Sequence, residues 1–167
     1  MIELDAEAIY RTLLARVRSR VAGHDVRLVG VRTGGVWVAE RLQRDLGIAH
    51  PVGVLDISFY RDDFGRQGLS PTVKPSRIEF EVAGQRLLLV DDVLYTGRTV
   101  RAAMNELFDY GRPARIDLAV LIDRGGRELP IEAGMVGATV EVPPEVNIVL
   151  TRDEAGGFHL TLEQRRA

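Results

Sequence analysis

The feature of this sequence that most constrains its fold is the segment from residue 87 to residue 99. Four consecutive apolar residues come first, two aspartates follow, and a turn rich in hydroxyl groups leads into a stretch with helical periodicity. A short apolar run of this kind predicts a strand that is buried on both faces of a sheet. The segment therefore predicts a buried strand, a polar turn and a helix, in that order.

The rest of the chain predicts alternating helices and strands. Asp5 is placed to cap a first helix that continues to about residue 21, because apolar residues recur there at helical spacing. Further helices are predicted at residues 36–46 and 99–110, strands at 26–31, 52–57, 86–90 and 116–122, and short strands at 140–142, 146–150 and 158–162. Strands separated by helices predict an α/β fold with a mostly parallel central sheet flanked by helices.

Composition indicates one soluble domain. The 167 residues, of which 46% are hydrophobic and 28% charged, are enough for a single core, so we treat residues 1–167 as one domain. No apolar run reaches the roughly 18 residues that a membrane helix needs. The acidic opening, with Glu3 and Asp5, differs from a secretory signal, and a cytoplasmic location is expected. The absence of cysteine excludes disulfides and thiolate metal sites.

The turn after the predicted strand has the residues of a phosphate site. Backbone N–H groups at a helix start bind phosphate, the hydroxyls of Thr96 and Thr99 add donors, and Gly97 lets the backbone approach closely. Asp91 and Asp92 suit the neighbouring hydroxyls of a ribose, and they can hold a hydrated Mg²⁺ ion. Phosphate and ribose together indicate a ribose 5-phosphate group. Two adjacent aspartates alone are also consistent with a helix cap, so the interpretation depends on the whole order of residues.

That order resembles the phosphoribosyl pyrophosphate fingerprint of the type I phosphoribosyltransferases, in which an apolar strand is followed by two acids, two apolar residues, a variable residue and Thr-Gly-x-Thr. Neither the Walker nor the Rossmann glycine pattern occurs in the chain. Most of the chain further resembles the pyrimidine operon regulators of this family, which have uracil phosphoribosyltransferase activity. The resemblance includes the first helix and residues 29–35, 56–63 and 118–130, and it implies the type I phosphoribosyltransferase fold with a small hood.

By this resemblance each loop has an expected role. A polar stretch at about residues 60–76, by its own pattern a mobile loop or a hairpin, is expected to close over the site through Tyr60 and Arg61. A hood at about residues 123–137 is expected to cover the base. The ribose 5-phosphate is expected to bind to residues 91–99, which are Asp91, Asp92, Val93, Leu94, Tyr95, Thr96, Gly97, Arg98 and Thr99. The pyrophosphate is expected at Arg32, Thr33, Gly34 and Gly35. In the hood, backbone groups of Met135, Val136 and Gly137 are expected to hold the base, and Asp123 and Arg124 to fix the start of the loop. A Gly-Gly pair after a strand is otherwise a common turn.

The reaction implied is displacement of pyrophosphate from phosphoribosyl pyrophosphate by N1 of uracil, which gives UMP. Asp91, Asp92 and Arg32 are the expected catalytic residues, with Mg²⁺ held by the two aspartates through water. Positive charge near the leaving group and carboxylates near the ribose favour the transition state. Tyr95 stands where purine-specific members have an acid, which favours uracil, although an aromatic residue there could also pack against the strand. The alternative is a hypoxanthine or guanine phosphoribosyltransferase without RNA binding.

The resemblance also implies binding to the leader of pyrimidine messenger RNA, and a homodimer or higher homo-oligomer. Four arginines of the first helix and two beyond the strand at 116–122 could form the basic surface that RNA needs, or could equally be a solvated face: Arg11, Arg16, Arg18, Arg20, Arg124 and Arg127. The net charge of −2 gives no general affinity for nucleic acid. Several positions that are basic in RNA-binding members are here Leu14, Ala15, Gly126, Glu132 and Ala138.

Overall fold

Helix α1 (Ala6–Val21) opens the fold, and Asp5 caps it by accepting a hydrogen bond from the Ala8 N–H at 3.0 Å, as the sequence predicts. The structure is a computed structural model, and it describes residues 3–57 and 76–166. The elements that follow are β1 (Val26–Val31), α2 (Gly34–Leu46), β2 (Gly53–Leu55), β3 (Arg86–Leu94), α3 (Arg98–Tyr110), β4 (Arg115–Asp123), β5 (Met135–Thr139), β6 (Val146–Arg152) and β7 (Phe158–Gln164).

The first five strands form one sheet with the order β2-β1-β3-β4-β5, and every pair in it is parallel. The predicted α/β fold with a parallel central sheet is therefore confirmed. Because all strands run the same way, the loops that follow β1, β3 and β4 emerge at one edge of the sheet. Ligands bind at this edge in open parallel sheets.

Both faces of the sheet are buried, and β3 shows how one apolar run serves both. Leu88 and Val90 pack on the face covered by α1 and α2, whereas Leu87 and Leu89 pack on the face covered by α3. All four side chains are at most 1% exposed. A strand covered on both faces needs apolar residues at every position rather than at alternate ones, which is why its sequence shows no period of two.

The last two strands form an antiparallel pair, the β6–β7 hairpin, outside the central sheet. Ile148, Leu150 and Phe158 of this hairpin are buried in the same core as α1 and α2. Their burial attaches the hairpin to that face of the molecule. The short strands predicted at 146–150 and 158–162 are confirmed.

The structure places the last residues of the predicted hood in the central sheet. Met135, Val136 and Gly137 lie in β5, which pairs with β4 inside the central sheet. A Cβ atom at Gly137 would come within 2.5 Å of the Leu121 carbonyl oxygen and 2.7 Å of Ile9 Cγ2, so α1 and β4 leave no room there for a side chain. The glycine and alanine within residues 135–139 weaken the strand signal, and the strand forms because β4 offers an edge to pair with.

Other boundaries differ by a few residues. Strand β3 continues to Leu94 instead of ending at Val90, so both aspartates of the fingerprint belong to the strand. Strand β2 covers only 53–55, and the described residues 140–142 form no strand. The predicted closing loop, including Tyr60 and Arg61, lies outside the described residues except for Ser76. Among the described residues, no helix has the length and apolarity that a membrane span requires.

Candidate active site

A cavity of about 320 Å³ lies at the edge of the sheet where the fingerprint segment ends. Its wall combines four parts of the chain: the loop after β1 with the first turn of α2, the end of β3 with the start of α3, the residue that follows β4, and the β6–β7 hairpin with its end. The lining residues are Thr33, Gly34, Trp37, Asp91, Asp92, Val93, Tyr95, Thr99, Arg124, Asn147, Ile148, Val149, Leu150 and Arg165.

The loop after β1 lies directly against the paired aspartates. A Cβ atom at Gly34 would collide with the Asp92 carboxylate, and one at Gly35 would lie 2.6 Å from the Val90 carbonyl oxygen. Only glycine therefore lets this loop rest on the end of β3. The two segments that are expected to bind pyrophosphate and ribose are in contact, although about 60 residues separate them in the chain.

Both aspartates are oriented by backbone donors. Asp91 Oδ1 accepts the N–H of Asp92, and Asp92 Oδ1 accepts the N–H of Val93, each at 2.8 Å. Asp91 is only 3% exposed, while Asp92 is partly exposed. Two carboxylates held in this way at a cavity wall present fixed oxygen atoms to hydroxyl groups or to a hydrated cation.

The turn between β3 and α3 has the geometry of an anion site. Gly97 has φ +94°, a left-handed conformation that favours glycine, and α3 begins at the next residue. Thr96 Oγ1 accepts the N–H of Arg98 at 3.2 Å, and Thr99 lines the cavity. The N–H groups of a first helical turn have no partner within their helix, and they attract phosphate.

A second loop holds this turn from behind. The Thr96 carbonyl oxygen accepts the N–H groups of Glu128 and Leu129 at 2.9 and 3.1 Å, and the Tyr95 carbonyl oxygen accepts Arg127 Nη1 at 2.8 Å. These hydrogen bonds fix the position of the turn beside the cavity.

Arg127 is fixed by an acid as well. Its Nη2 donates to Asp123 Oδ2 at 2.6 Å, and the Gly125 N–H donates to Asp123 Oδ1 at 2.9 Å. Burial by itself would raise the pKa of Asp123, but these two hydrogen bonds and the charge of Arg127 outweigh it and lower the pKa below its usual value. Asp123 therefore stays ionised and orders the loop, and it is not among the residues that line the cavity.

Some residues predicted for the site lie outside the cavity wall. Arg32 does not line it, and its Nε lies 3.7 Å from the buried carboxylate of Asp56. Leu94 is buried in the core, and Arg98 pairs with Glu128 on the surface at 2.9 Å. Met135, Val136 and Gly137 belong to β5, as described above.

Sequence reasoning missed the part of the wall that the hairpin supplies. Four consecutive residues of β6, from Asn147 to Leu150, line the cavity, and Arg165 follows β7. Side chains alternate between the two faces of a strand, so four consecutive lining residues mean that β6 presents its edge to the cavity. The short strands of the tail were the only available signal, and they do not say where the hairpin docks.

Arg124 connects the hairpin to the fingerprint segment. Its Nη1 donates to the Val146 carbonyl oxygen at 2.7 Å, its Nη2 to that of Pro143 at 3.1 Å, and its Cζ lies 4.0 Å from the centre of the Tyr95 ring. The side chain is 6% exposed. Arg124, predicted to fix the start of the hood loop, thus lies in the cavity wall and holds the chain at the start of β6.

Comparison with known proteins agrees with this geometry. Residues 3–151 match the phosphoribosyl transferase domain family. The chain is 51% identical over 160 residues to the bifunctional protein PyrR of Pseudomonas entomophila, covering 94% of this chain and 91% of that one. It is 50% identical over 155 residues to the bifunctional protein PyrR of Nitrosococcus oceani, covering 90% of this chain and 88% of that one.

Solved structures agree on the fold. A hypoxanthine phosphoribosyltransferase from Staphylococcus aureus superposes with a TM-score of 0.66 at 20% identity, covering 84% of this chain and 77% of that chain. A hypoxanthine-guanine phosphoribosyltransferase from Bacillus anthracis superposes with a TM-score of 0.64 at 18% identity, covering 82% of this chain and 79% of that chain. The type I phosphoribosyltransferase fold is confirmed, and the chain belongs to the phosphoribosyl transferase domain family and, within it, to the bifunctional PyrR proteins.

Proposed function

We propose that the cavity is the active site of a uracil phosphoribosyltransferase, in which uracil and phosphoribosyl pyrophosphate react to give UMP and pyrophosphate. The observation that carries the proposal is the contact between Gly34 and the Asp92 carboxylate. It unites a glycine-rich loop, a pair of carboxylates and a helix start around one space of about 320 Å³. A nucleotide-sized substrate with two phosphate-bearing ends needs these three groups together.

The residues present fit Mg²⁺ held through water and substrate. In the described part of the chain, no cluster of three or more His, Asp or Glu side chains could bind a metal by itself. Mg²⁺ commonly keeps several waters and uses one or two carboxylates together with substrate phosphates, which matches Asp91 and Asp92. When bound, the ion would neutralise negative charge on the departing pyrophosphate.

The side chains and backbone of this protein would do the rest. The loop at Thr33 and Gly34 binds pyrophosphate through unhindered N–H groups, and the first turn of α3 holds the 5-phosphate. The N1–C1′ bond forms as the C1′–O bond breaks, both electrons of that bond leave with pyrophosphate, and the N1 proton is released to solvent. Asp91 and Asp92 stabilise the positive charge that the ribose gains on the way.

Among residues 3–57 and 76–166, β6 pairs only with β7, and the free edge of β6 that this leaves would recognise the base. In an antiparallel pair, every second residue directs its N–H and C=O groups away from the partner strand. Such a residue offers one donor and one acceptor side by side, which complement a carbonyl oxygen and the N3–H of uracil. Hypoxanthine carries the same two groups, so side chains near this edge have to decide between the bases.

A substrate comparison tests the proposed activity. The purified chain is incubated with phosphoribosyl pyrophosphate and Mg²⁺, and with uracil, hypoxanthine, guanine or orotate in turn, and the nucleotide products are quantified by chromatography. We expect UMP as the main product and the highest kcat/KM for uracil. Faster formation of a purine nucleotide would contradict the assignment.

A second function, regulation of pyrimidine operons through leader RNA, follows from membership of the bifunctional PyrR proteins, and we propose that it uses α1. The arginines of α1 point to two sides. Arg16 Nη1 donates to the Val136 carbonyl oxygen at 2.6 Å and Arg20 lies 3.6 Å from Asp117, whereas Arg18 donates to the Asp45 carbonyl oxygen at 3.3 Å. The predicted extension of this surface through Arg124 is corrected, because that side chain is buried.

Salt dependence of binding tests the RNA proposal. Binding of a pyrimidine leader RNA should weaken steeply as salt rises, by roughly one power of salt concentration for each phosphate neutralised. Replacing Arg18 by Ala should weaken RNA binding and spare uracil transfer, because Arg18 lies outside the cavity wall. Binding that does not change with salt or with Arg18→Ala would contradict a role for this helix.

A further inference from the structure

Arg165 lines the cavity beside β6, in a position that nothing in the fingerprint indicates. We propose that Arg165, held in place by Asn147, binds a carbonyl oxygen of the base and makes the site selective for bases with two carbonyl groups flanking an N–H. The proposal rests on the proposed uracil phosphoribosyltransferase function and names the side chain that selects its substrate.

Two contacts hold Arg165 at the cavity. Its Nε donates to Asn147 Oδ1 at 2.7 Å, and its backbone N–H donates to the Glu145 carbonyl oxygen at 2.7 Å. Asn147 belongs to β6, whose edge lines the same cavity. The guanidinium group is thus attached to the strand that offers backbone groups to the base, and ordering it on binding requires little further loss of side-chain freedom.

The aromatic ring of Tyr95 lies beside the guanidinium groups of both Arg165 and Arg124. The Cζ atom of Arg165 lies 5.6 Å from the ring centre, and that of Arg124 lies 4.0 Å from it. Arg124 already donates both its terminal nitrogens to carbonyl oxygens of the chain segment before β6. Neither terminal nitrogen of Arg165 has a hydrogen bond to the described residues, so of the two guanidinium groups beside Tyr95 it is Arg165 that has both terminal nitrogens available.

Those donors are the two terminal nitrogens of Arg165. Within residues 3–57 and 76–166, the Arg165 side chain has one hydrogen bond, which uses Nε. A guanidinium group has five N–H donors in a planar fork and cannot accept. A ligand group next to it must be an acceptor, and a carbonyl oxygen satisfies this requirement whereas an amino group does not.

The imide edge of uracil supplies this acceptor in the right place. It presents a carbonyl, an N–H and a second carbonyl in sequence. The free edge of β6 pairs with the first carbonyl and the N–H, which leaves the second carbonyl for Arg165. Hypoxanthine has a C–H where uracil has the second carbonyl, and cytosine and guanine carry an amino group at one end of the same edge. A site that hydrogen-bonds a substrate group rejects analogues that lack it.

Steady-state kinetics of Arg165→Ala, with Arg166→Ala as the matched neighbour, test the inference. Loss of a hydrogen bond to a charged group should raise the KM for uracil about 10- to 100-fold. The KM for phosphoribosyl pyrophosphate and the inhibition constant for hypoxanthine, which cannot use Arg165, should each stay within about 2-fold. Arg166→Ala should match the wild type in all three values.

The anchoring residue gives an independent readout. Asn147→Ala should raise the KM for uracil as Arg165→Ala does. Asn147→Asp keeps an acceptor for Arg165 Nε, so its KM for uracil should stay close to the wild-type value. If the KM values for uracil and phosphoribosyl pyrophosphate and the inhibition constant for hypoxanthine all changed in parallel, Arg165 would only support the fold, and the inference would be overturned. An unchanged KM for uracil would overturn it too. Wild-type protein that fails to use uracil would instead contradict the proposed function, and this inference with it.

Discussion

Arg41 of α2 donates two hydrogen bonds to the Glu7 carboxylate of α1, from Nη1 to Oε2 at 2.7 Å and from Nη2 to Oε1 at 2.6 Å. Glu7 Oε2 also accepts the N–H of Phe158 in β7 at 2.8 Å. The Arg41 Cζ lies 4.1 Å from the Tyr10 ring centre and 4.8 Å from that of Phe158. One ion pair therefore joins both helices to the hairpin that lines the cavity.

The ion pair makes stability depend on acid pH. Hydrogen bonds from Arg41, opposed by burial and aided by the Phe158 N–H, lower the pKa of Glu7 from 4.5 to about 2. A lowered carboxyl pKa stabilises the folded state fully above pH 4.5, and the contribution disappears as the pH falls towards 2. Urea unfolding should show Glu7→Gln to be less stable than wild type by about 1 kcal/mol at pH 7, since solvent screens this partly exposed pair.

The difference between wild type and Glu7→Gln should shrink when unfolding is repeated at pH 5, 4 and 3. Glu154→Gln, a change at an exposed glutamate, serves as the control and should not alter stability at any of these values. A difference that stays constant with pH would mean that Glu7 acts through packing rather than through its charge.

Asp92→Asn should lower uracil transfer at least about 100-fold without unfolding the protein, because it removes a carboxylate charge from the ribose and metal site at nearly constant volume. Thermal unfolding and initial rates measured on the same preparation separate the two effects. A rate within a factor of two of wild type would contradict the role assigned to Asp92.

Gly34→Ala should also reduce the rate of uracil transfer, through a steric collision rather than a change of charge. The added methyl group would collide with the Asp92 carboxylate, so the loop or the aspartate must move. Gly134→Ala is the matched control, since its nearest neighbour is a flexible Arg20 side chain at 3.5 Å. Kinetics should show a higher KM for phosphoribosyl pyrophosphate in Gly34→Ala only, and equal values for both variants would argue against a pyrophosphate loop at this position.

Thr96→Val should weaken the binding of phosphoribosyl pyrophosphate and of UMP to a similar extent, about 10-fold, because both ligands present the same 5-phosphate. Arg32→Ala removes a positive charge next to the loop at Thr33 and Gly34, although Arg32 lies beside Asp56 outside the cavity wall, and it should weaken binding of the pyrophosphate-bearing ligand more than binding of the nucleotide. Calorimetric titration of both ligands measures these ratios directly. If both variants weakened the binding of phosphoribosyl pyrophosphate and of UMP in the same ratio, the division of roles between the two loops would be contradicted.

Local patterns in the sequence predicted much of the fold. The apolar run Leu87–Val90 identifies a strand buried on both faces, Asp5 identifies the start of α1, and Gly111 the end of α3. These signals are readable because each depends on residues that are neighbours in the chain. The residues of the fingerprint, including Asp91 and Asp92, were identifiable for the same reason.

The tertiary structure decided which segment closes the cavity. Residues 135–139 joined the central sheet because β4 had a free edge and α1 could cover it, and the β6–β7 hairpin took the position over the cavity instead. Asn147 and Arg165 carry no motif, and their place at the cavity follows from where Ile148, Leu150 and Phe158 are buried. The sequence alone determined the chemistry at the carboxyl end of β3, whereas packing between distant elements determined the wall that faces it, since burial depends on which surfaces remain uncovered once the sheet has formed.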